Sequence, residues 1–111
     1  MKDCLFCKIA NGDGQKVFEN EEIVIIKDIA PQAKLHYLVI PKNHFDDICD
    51  LATKDAALLS RIFAKIAELK DQLGLQDGFR LITNKGENGC QSIKHIHIHL
   101  LGGEKLSERM G

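Results

Sequence analysis

The sequence predicts an α+β domain in which a mostly antiparallel sheet packs with one long helix and one short helix. Three observations carry that reading. Short β-branched runs stand on both sides of the chain's middle, and a single stretch between them repeats its apolar residues at helical spacing. The whole is 111 residues, enough for one domain over 1–111 and too few for a second.

Taken in order, the first turn signal is Asn11-Gly12-Asp13-Gly14, a loop or hairpin turn. Residues 17–19 form a short strand. Asn20-Glu21-Glu22 turns the chain into Ile23-Val24-Ile25-Ile26, whose β-branched side chains suit a buried strand. Pro31 belongs to the loop that follows. His36-Tyr37-Leu38-Val39-Ile40 is the next strand, stopped by Pro41. A short helical turn is expected at 45–51. The long helix begins near Thr53 as N-cap, with Asp55 in its first turn. Leu59, Ile62, Phe63, Ile66, Leu69 and Leu73 fall on one face. Gly74 ends the helix as its C′ residue, and Leu75 packs back. Residues 79–83 are a strand, 84–89 a loop, and 95–101 the last strand, broken by Gly102-Gly103.

Composition excludes several function classes. Apolar residues are 44%, charged residues 28% and the net charge is −1, so no basic field exists for nucleic acid or anionic membrane. Tryptophan is absent, which argues against a base-stacking surface. No apolar run reaches a membrane span. The first residues lack a signal region, and a reducing, cytoplasmic setting is expected. There Cys4 and Cys7, in C-x-x-C spacing, are metal ligands, a redox pair or buried thiols. Cys49 and Cys90 are expected to be small apolar fillers.

The informative segment is Lys94-His95-Ile96-His97-Ile98-His99-Leu100. On a strand His95, His97 and His99 share one face at about 7 Å spacing, and Ile96, Ile98 and Leu100 share the other. One histidine there suits a solvated face. Three in strict alternation point to a metal site or to an imidazole nucleophile with its supporting groups. Just upstream, Gln91 and Ser92 follow a glycine-bearing loop whose N–H groups suit phosphate oxygens.

His95-Ile96-His97-Ile98-His99-Leu100-Leu101 resembles the His-φ-His-φ-His-φ-φ signature of the histidine triad (HIT) superfamily. The resemblance extends over nearly the whole chain, through Asp28-Ile29-Ala30-Pro31-Gln32-Ala33, the segment from His36 to His44, and the loop from Asn84 to Ser92. Ser92 and Leu101-Gly102-Gly103 look like its Hint-like nucleotide-binding branch. The resemblance implies a HIT-like fold, a homodimer, and hydrolysis of purine nucleoside phosphoramidates or related nucleotidyl conjugates. By position, His97 is the implied nucleophile, forming a covalent nucleotidyl-histidine. Gln91, Ser92 and His99 contact phosphate oxygens or orient His97, and His36 flanks the site. Asn84 lies near phosphate and ribose, and Asp28 accepts ribose hydroxyls. Phe6, Ile9, Ile26 and Ile29 line the purine pocket. The dimer is expected to use the long helix and strand 79–83.

Some relatives in the superfamily bind zinc through two cysteines, a histidine after the Pro-Lys-x segment and the first triad histidine. Cys4, Cys7, His44 and His95 occupy those positions, so the resemblance implies a structural Zn²⁺ that withdraws His95 from phosphate. Two departures stand out. The loop at 11–15 lacks the family's usual Ile-Pro pair, and Cys90 replaces a glycine. Rival readings are a dinucleoside polyphosphate hydrolase, against which Ser92 and Gly102-Gly103 speak, and a nucleotide-binding regulatory module, which needs no nucleophile.

Overall fold

In the computed structural model, which describes residues 4–110, five strands form one antiparallel sheet. β1 (Phe18–Glu19), β2 (Ile23–Lys27), β3 (Leu35–Pro41), β4 (Phe79–Ile82) and β5 (Ile98–Gly102) lie in the order β1-β2-β3-β5-β4. Three helices accompany them: α1 (Leu5–Asn11), α2 (Ile48–Lys54) and α3 (Ala56–Leu69). The α+β architecture and antiparallel sheet are those the sequence predicts.

The alternation of side chains along the strands divides the apolar residues between two faces. Ile23, Ile25, Tyr37, Val39, Ile98 and Leu100 join Leu51, Leu58, Ile62, Ile66 and Leu69 in the main core under α2 and α3. Val24, Leu38 and Ile40 join Phe6 and Ala10 in a smaller core under α1. The candidate functional side chains His36 and His99 lie on this second face.

Four sequence expectations change. α1 was not foreseen: Cys4 caps it with its sulfur, accepting from the Cys7 N–H. The long helix starts at Ala56 rather than near Thr53, because the Asp55 carboxylate accepts from the Leu58 N–H at 3.1 Å and so ends α2 while capping α3. Its buried stripe is Leu58, Ile62, Ile66 and Leu69; Phe63, one residue off that stripe, is 48% exposed. The chain continues from α3 through a hydrogen-bonded turn in which the Leu75 N–H reaches the Lys70 carbonyl at 2.8 Å and Gly74 takes a φ of 79°, the glycine C′ ending expected. Cys49 and Cys90 are exposed, not fillers, since neither residue faces a core.

Candidate active site and metal centre

The last strand begins at Ile98, so only His99 is held by a regular ladder. His95 and His97 lie on the irregular approach to it. They are fixed instead by backbone hydrogen bonds. The His97 Nδ1–H donates to the His95 carbonyl at 2.9 Å, so the neutral ring carries its lone pair on Nε2. Phe6 on α1 stands edge-on to the His97 ring, centroids 4.7 Å apart, with the His99 ring 5.2 Å away. His97 is 6% exposed.

Register explains the next pair. His36 lies opposite Leu101 and Leu38 opposite His99, which makes His36 and His99 diagonal neighbours on one face. The Gln32 N–H donates to His36 Nδ1 at 3.0 Å. The neutral His36 therefore bears its proton on Nε2 and donates it to His99 Nδ1 at 2.8 Å. The neutral His99 ring in turn presents an Nε2–H. The Asp28 carboxylate lies 3.4 Å from His36 Nε2. Burial, followed by the neighbouring His97 and His36, pushes the His99 pKa below the usual imidazole value, with Asp28 opposing. Asp28, His36 and His99 are close enough to suggest a metal triad. The lock on His36 Nδ1 leaves a proton on the nitrogen facing its partners, which suits proton donation and not ligation.

Cys4, Cys7, His44 and His95 form a second cluster, their ligand atoms all within 4.8 Å of one another. His95 Nδ1 is 3.3 Å from both sulfurs, and His44 Nδ1 is 3.3 Å from the Cys7 sulfur. Each ring's other nitrogen donates outward, from His95 to the Pro41 carbonyl at 2.8 Å and from His44 to Asp46 Oδ1 at 2.9 Å. Both imidazoles thus turn lone pairs toward the sulfurs with the outer-shell partners that orient metal ligands. Burial and then Cys4 push the Cys7 thiol up to about 11, so a thiolate there needs a cation as counter-charge. Two sulfurs and two nitrogens are the donor set of a closed tetrahedral zinc site. The residues fit that ion.

The loop residues act differently from one another. The Gln91 amide donates to the carbonyls of Asp46 and Ile93 at 2.6 and 3.1 Å, and its oxygen accepts from the Gly86 N–H at 3.0 Å. Asn84 donates to the Gly89 carbonyl at 2.7 Å. Both side chains hold the loop's shape. Exposed Ser92 lines a cavity of about 530 Å³ beside Cys4, His44, Asp46 and Lys94. A cavity of about 650 Å³ on another side is lined by Ile9, Ile26 and Ile29 together with Gly14, Gln15 and Lys16. The loop after α1 thus supplies a wall even without an Ile-Pro pair.

Residues 3–111 match the family described as "Scavenger mRNA decapping enzyme C-term binding". Protein HitA of Neisseria gonorrhoeae is 43% identical over 104 residues, covering 92% of this chain and 97% of its own. A HIT family hydrolase from Legionella pneumophila is 42% identical with a TM-score of 0.89, over 98% of this chain and all of that one. This chain belongs to the histidine triad family. A Zn-bound histidine triad protein from Mycobacterium smegmatis is 34% identical with a TM-score of 0.74, over 97% of this chain and 82% of its own.

Within this HIT protein the structure brings together His36, His97, His99, Asp28 and Phe6 as one group, and Cys4, Cys7, His44 and His95 as another. Ile9, Ile26 and Ile29 meet at the larger cavity, whereas Phe6 packs on the His97 ring. Sequence reasoning missed Asp46, although an acidic residue two positions after a candidate ligand histidine is a readable signal. It also missed the carbonyls of Pro41 and His95, which no side-chain pattern reveals.

Proposed function

We propose that this HIT protein is a single-domain, purine nucleotide-binding hydrolase acting on nucleoside phosphoramidates and related nucleotidyl conjugates through His97. The observation that carries the reading is the fixed tautomer of His97, whose Nε2 lone pair stands beside a pair of rings that present protons. His97 Nε2 attacks the α-phosphorus, and the P–N bond to the leaving amine breaks. The leaving nitrogen accepts a hydrogen bond from the His99 Nε2–H, whose tautomer the His36 bond to Nδ1 sets, and departs as the amine with a proton drawn from solvent. Water then hydrolyses the nucleotidyl-histidine. Ser92 and the N–H groups of the loop shaped by Asn84 and Gln91 meet the phosphoryl oxygens. Asp28 takes the ribose hydroxyls, and Phe6, Ile9, Ile26 and Ile29 border the purine.

Cys4, Cys7, His44 and His95 would hold a structural zinc, which supplies no chemistry to the reaction and ties α1 to the segment bearing His97. Four free cysteines suit the cytoplasm. The 48%-exposed Phe63 on α3 and 44%-exposed Leu81 on the edge strand β4 support a homodimer through those elements. The deciding experiment mixes the protein with an adenosine phosphoramidate and seeks a nucleotidyl adduct on His97 by mass spectrometry. His97→Ala should lose several orders of magnitude in rate. Activity within tenfold of wild type in that variant, with no adduct in the wild type, refutes the assignment. A wild type that binds AMP but does not turn over would mark a regulatory module.

A further inference from the structure

We propose that Lys16 is a positioning residue for the nucleoside, an ammonium clamp that holds the loop after α1 as one fixed wall of the large cavity. The proposal rests on the nucleotide-hydrolase reading above for its ligand, though the clamp itself stands on geometry.

The loop at 12–15 reads Gly-Asp-Gly-Gln. Two glycines in four residues leave the backbone unusually free. A cavity wall built from such a segment needs an external restraint. Lys16 provides it by folding back on its own loop: Nζ donates to the Gly12 carbonyl at 2.5 Å and to the Gly14 carbonyl at 3.3 Å. Its side chain is only 8% exposed, with Glu19 at 3.9 Å. A surface lysine ordinarily leaves its charge in water. One drawn in this far needs partners, and the two carbonyls accept from it while the Glu19 carboxylate supplies a nearby counter-charge.

The clamp also ends α1. Gly12 is the residue after the helix, where a positive charge complements the carbonyl end. Glu19 extends the tie to Lys42 at 2.6 Å, and Asn11 donates to the Cys7 and Lys42 carbonyls at 3.0 and 3.3 Å. α1 is therefore held at both ends, by the Cys4–Cys7 cluster at its start and by the Lys16 network at its finish. Phe6, near the start, packs on His97. Ile9, near the finish, lines the cavity with Gly14, Gln15 and Lys16. Loosening the finish should disturb the nucleoside wall while leaving His97 in place.

The test uses Lys16→Met, which keeps the apolar stem and removes the ammonium, and Lys16→Arg, which keeps charge and donors. Hydrogen–deuterium exchange should accelerate at least tenfold at residues 12–15 in Lys16→Met and return toward wild type in Lys16→Arg. For an adenosine phosphoramidate, KM and the AMP Kd should rise about tenfold in Lys16→Met while kcat stays within threefold. The preference for adenosine over cytidine phosphoramidate should shrink severalfold, which a merely structural role would not produce. Unchanged exchange at 12–15 overturns the clamp. Accelerated exchange with unchanged KM, Kd and base preference overturns its role in holding the nucleoside. A wild type that neither binds AMP nor hydrolyses the phosphoramidate overturns the hydrolase reading instead, and with it the nucleoside role, while exchange still decides the clamp.

Discussion

Asp46→Ala tests the proposed metal centre without touching a proposed ligand. Asp46 Oδ1 accepts the His44 Nε2–H at 2.9 Å, and so turns Nδ1 toward the Cys7 sulfur. Loss of such an outer-shell partner typically costs 10–100-fold in metal affinity. The Asp46 side chain is 42% exposed, so water replaces part of what it does, and the expected loss lies near the lower end. Tenfold is about 1.4 kcal/mol. Under saturating zinc, binding to the folded state passes that loss directly into stability. At roughly 4 °C per kcal/mol for a domain of this length, the melting midpoint should fall by about 6 °C. The assay is a thermal melt of wild type and variant, each with excess zinc and with a strong chelator. The gap between the two proteins should be present with zinc and largely close with chelator. The chelated pair also removes any effect on α2, whose cap is the separate Asp47 carboxylate. An equal gap in both buffers, or a zinc content well below one per wild-type chain, refutes the metal centre.

Three further outcomes are expected. Cys90 is exposed with a φ of 59°, a region costly to residues with a Cβ, so Cys90→Gly should raise stability by about 0.5–1 kcal/mol in denaturant melts, glycine's greater unfolded-state freedom offsetting part of the relief. Phe63→Glu combined with Leu81→Lys should shift sedimentation from the proposed dimer to monomer at micromolar concentration; a wild type that already sediments as a monomer refutes the dimer, and an unchanged variant refutes this interface. His99 titrates below its unfolded value because burial disfavours its charged form, so the folded state binds fewer protons and stability is lost as pH falls below about 6.5. Melts in chelator between pH 7.5 and 5 should therefore slope less steeply in His99→Gln than in wild type.

The fold was legible where a local pattern carried it. β-branched runs marked β2 and β3, and the apolar repeat marked α3. Boundaries failed where two local signals competed. Thr53 and Asp55 both suit an N-cap, and the carboxylate at 55 wins because it caps α3 directly, while the Thr53 hydroxyl donates back to the Cys49 carbonyl at 2.9 Å inside α2. α1 was illegible because its seven residues are too few to show a period, and a helix that short depends on tertiary packing.

The candidate site divides in the same way. Its residue types were readable, since alternating histidines and a C-x-x-C pair are written in the sequence. What each ring does was not, because three backbone groups decide it. The Gln32 N–H takes the His36 Nδ1 lone pair, the His95 carbonyl takes the His97 Nδ1–H, and the Pro41 carbonyl takes the His95 Nε2–H. Similar imidazoles thereby stand in three different hydrogen-bond settings, the ones the proposal reads as a proton donor, a nucleophile and a metal ligand. Strict strand alternation would have set the triad rings on one face in equivalent settings. By leaving the ladder before Ile98, the chain turns His95 toward the sulfurs of α1 and leaves His97 beside Phe6 and His99. The departure from regular strand geometry is what separates the proposed metal ligand His95 from the proposed nucleophile two residues away.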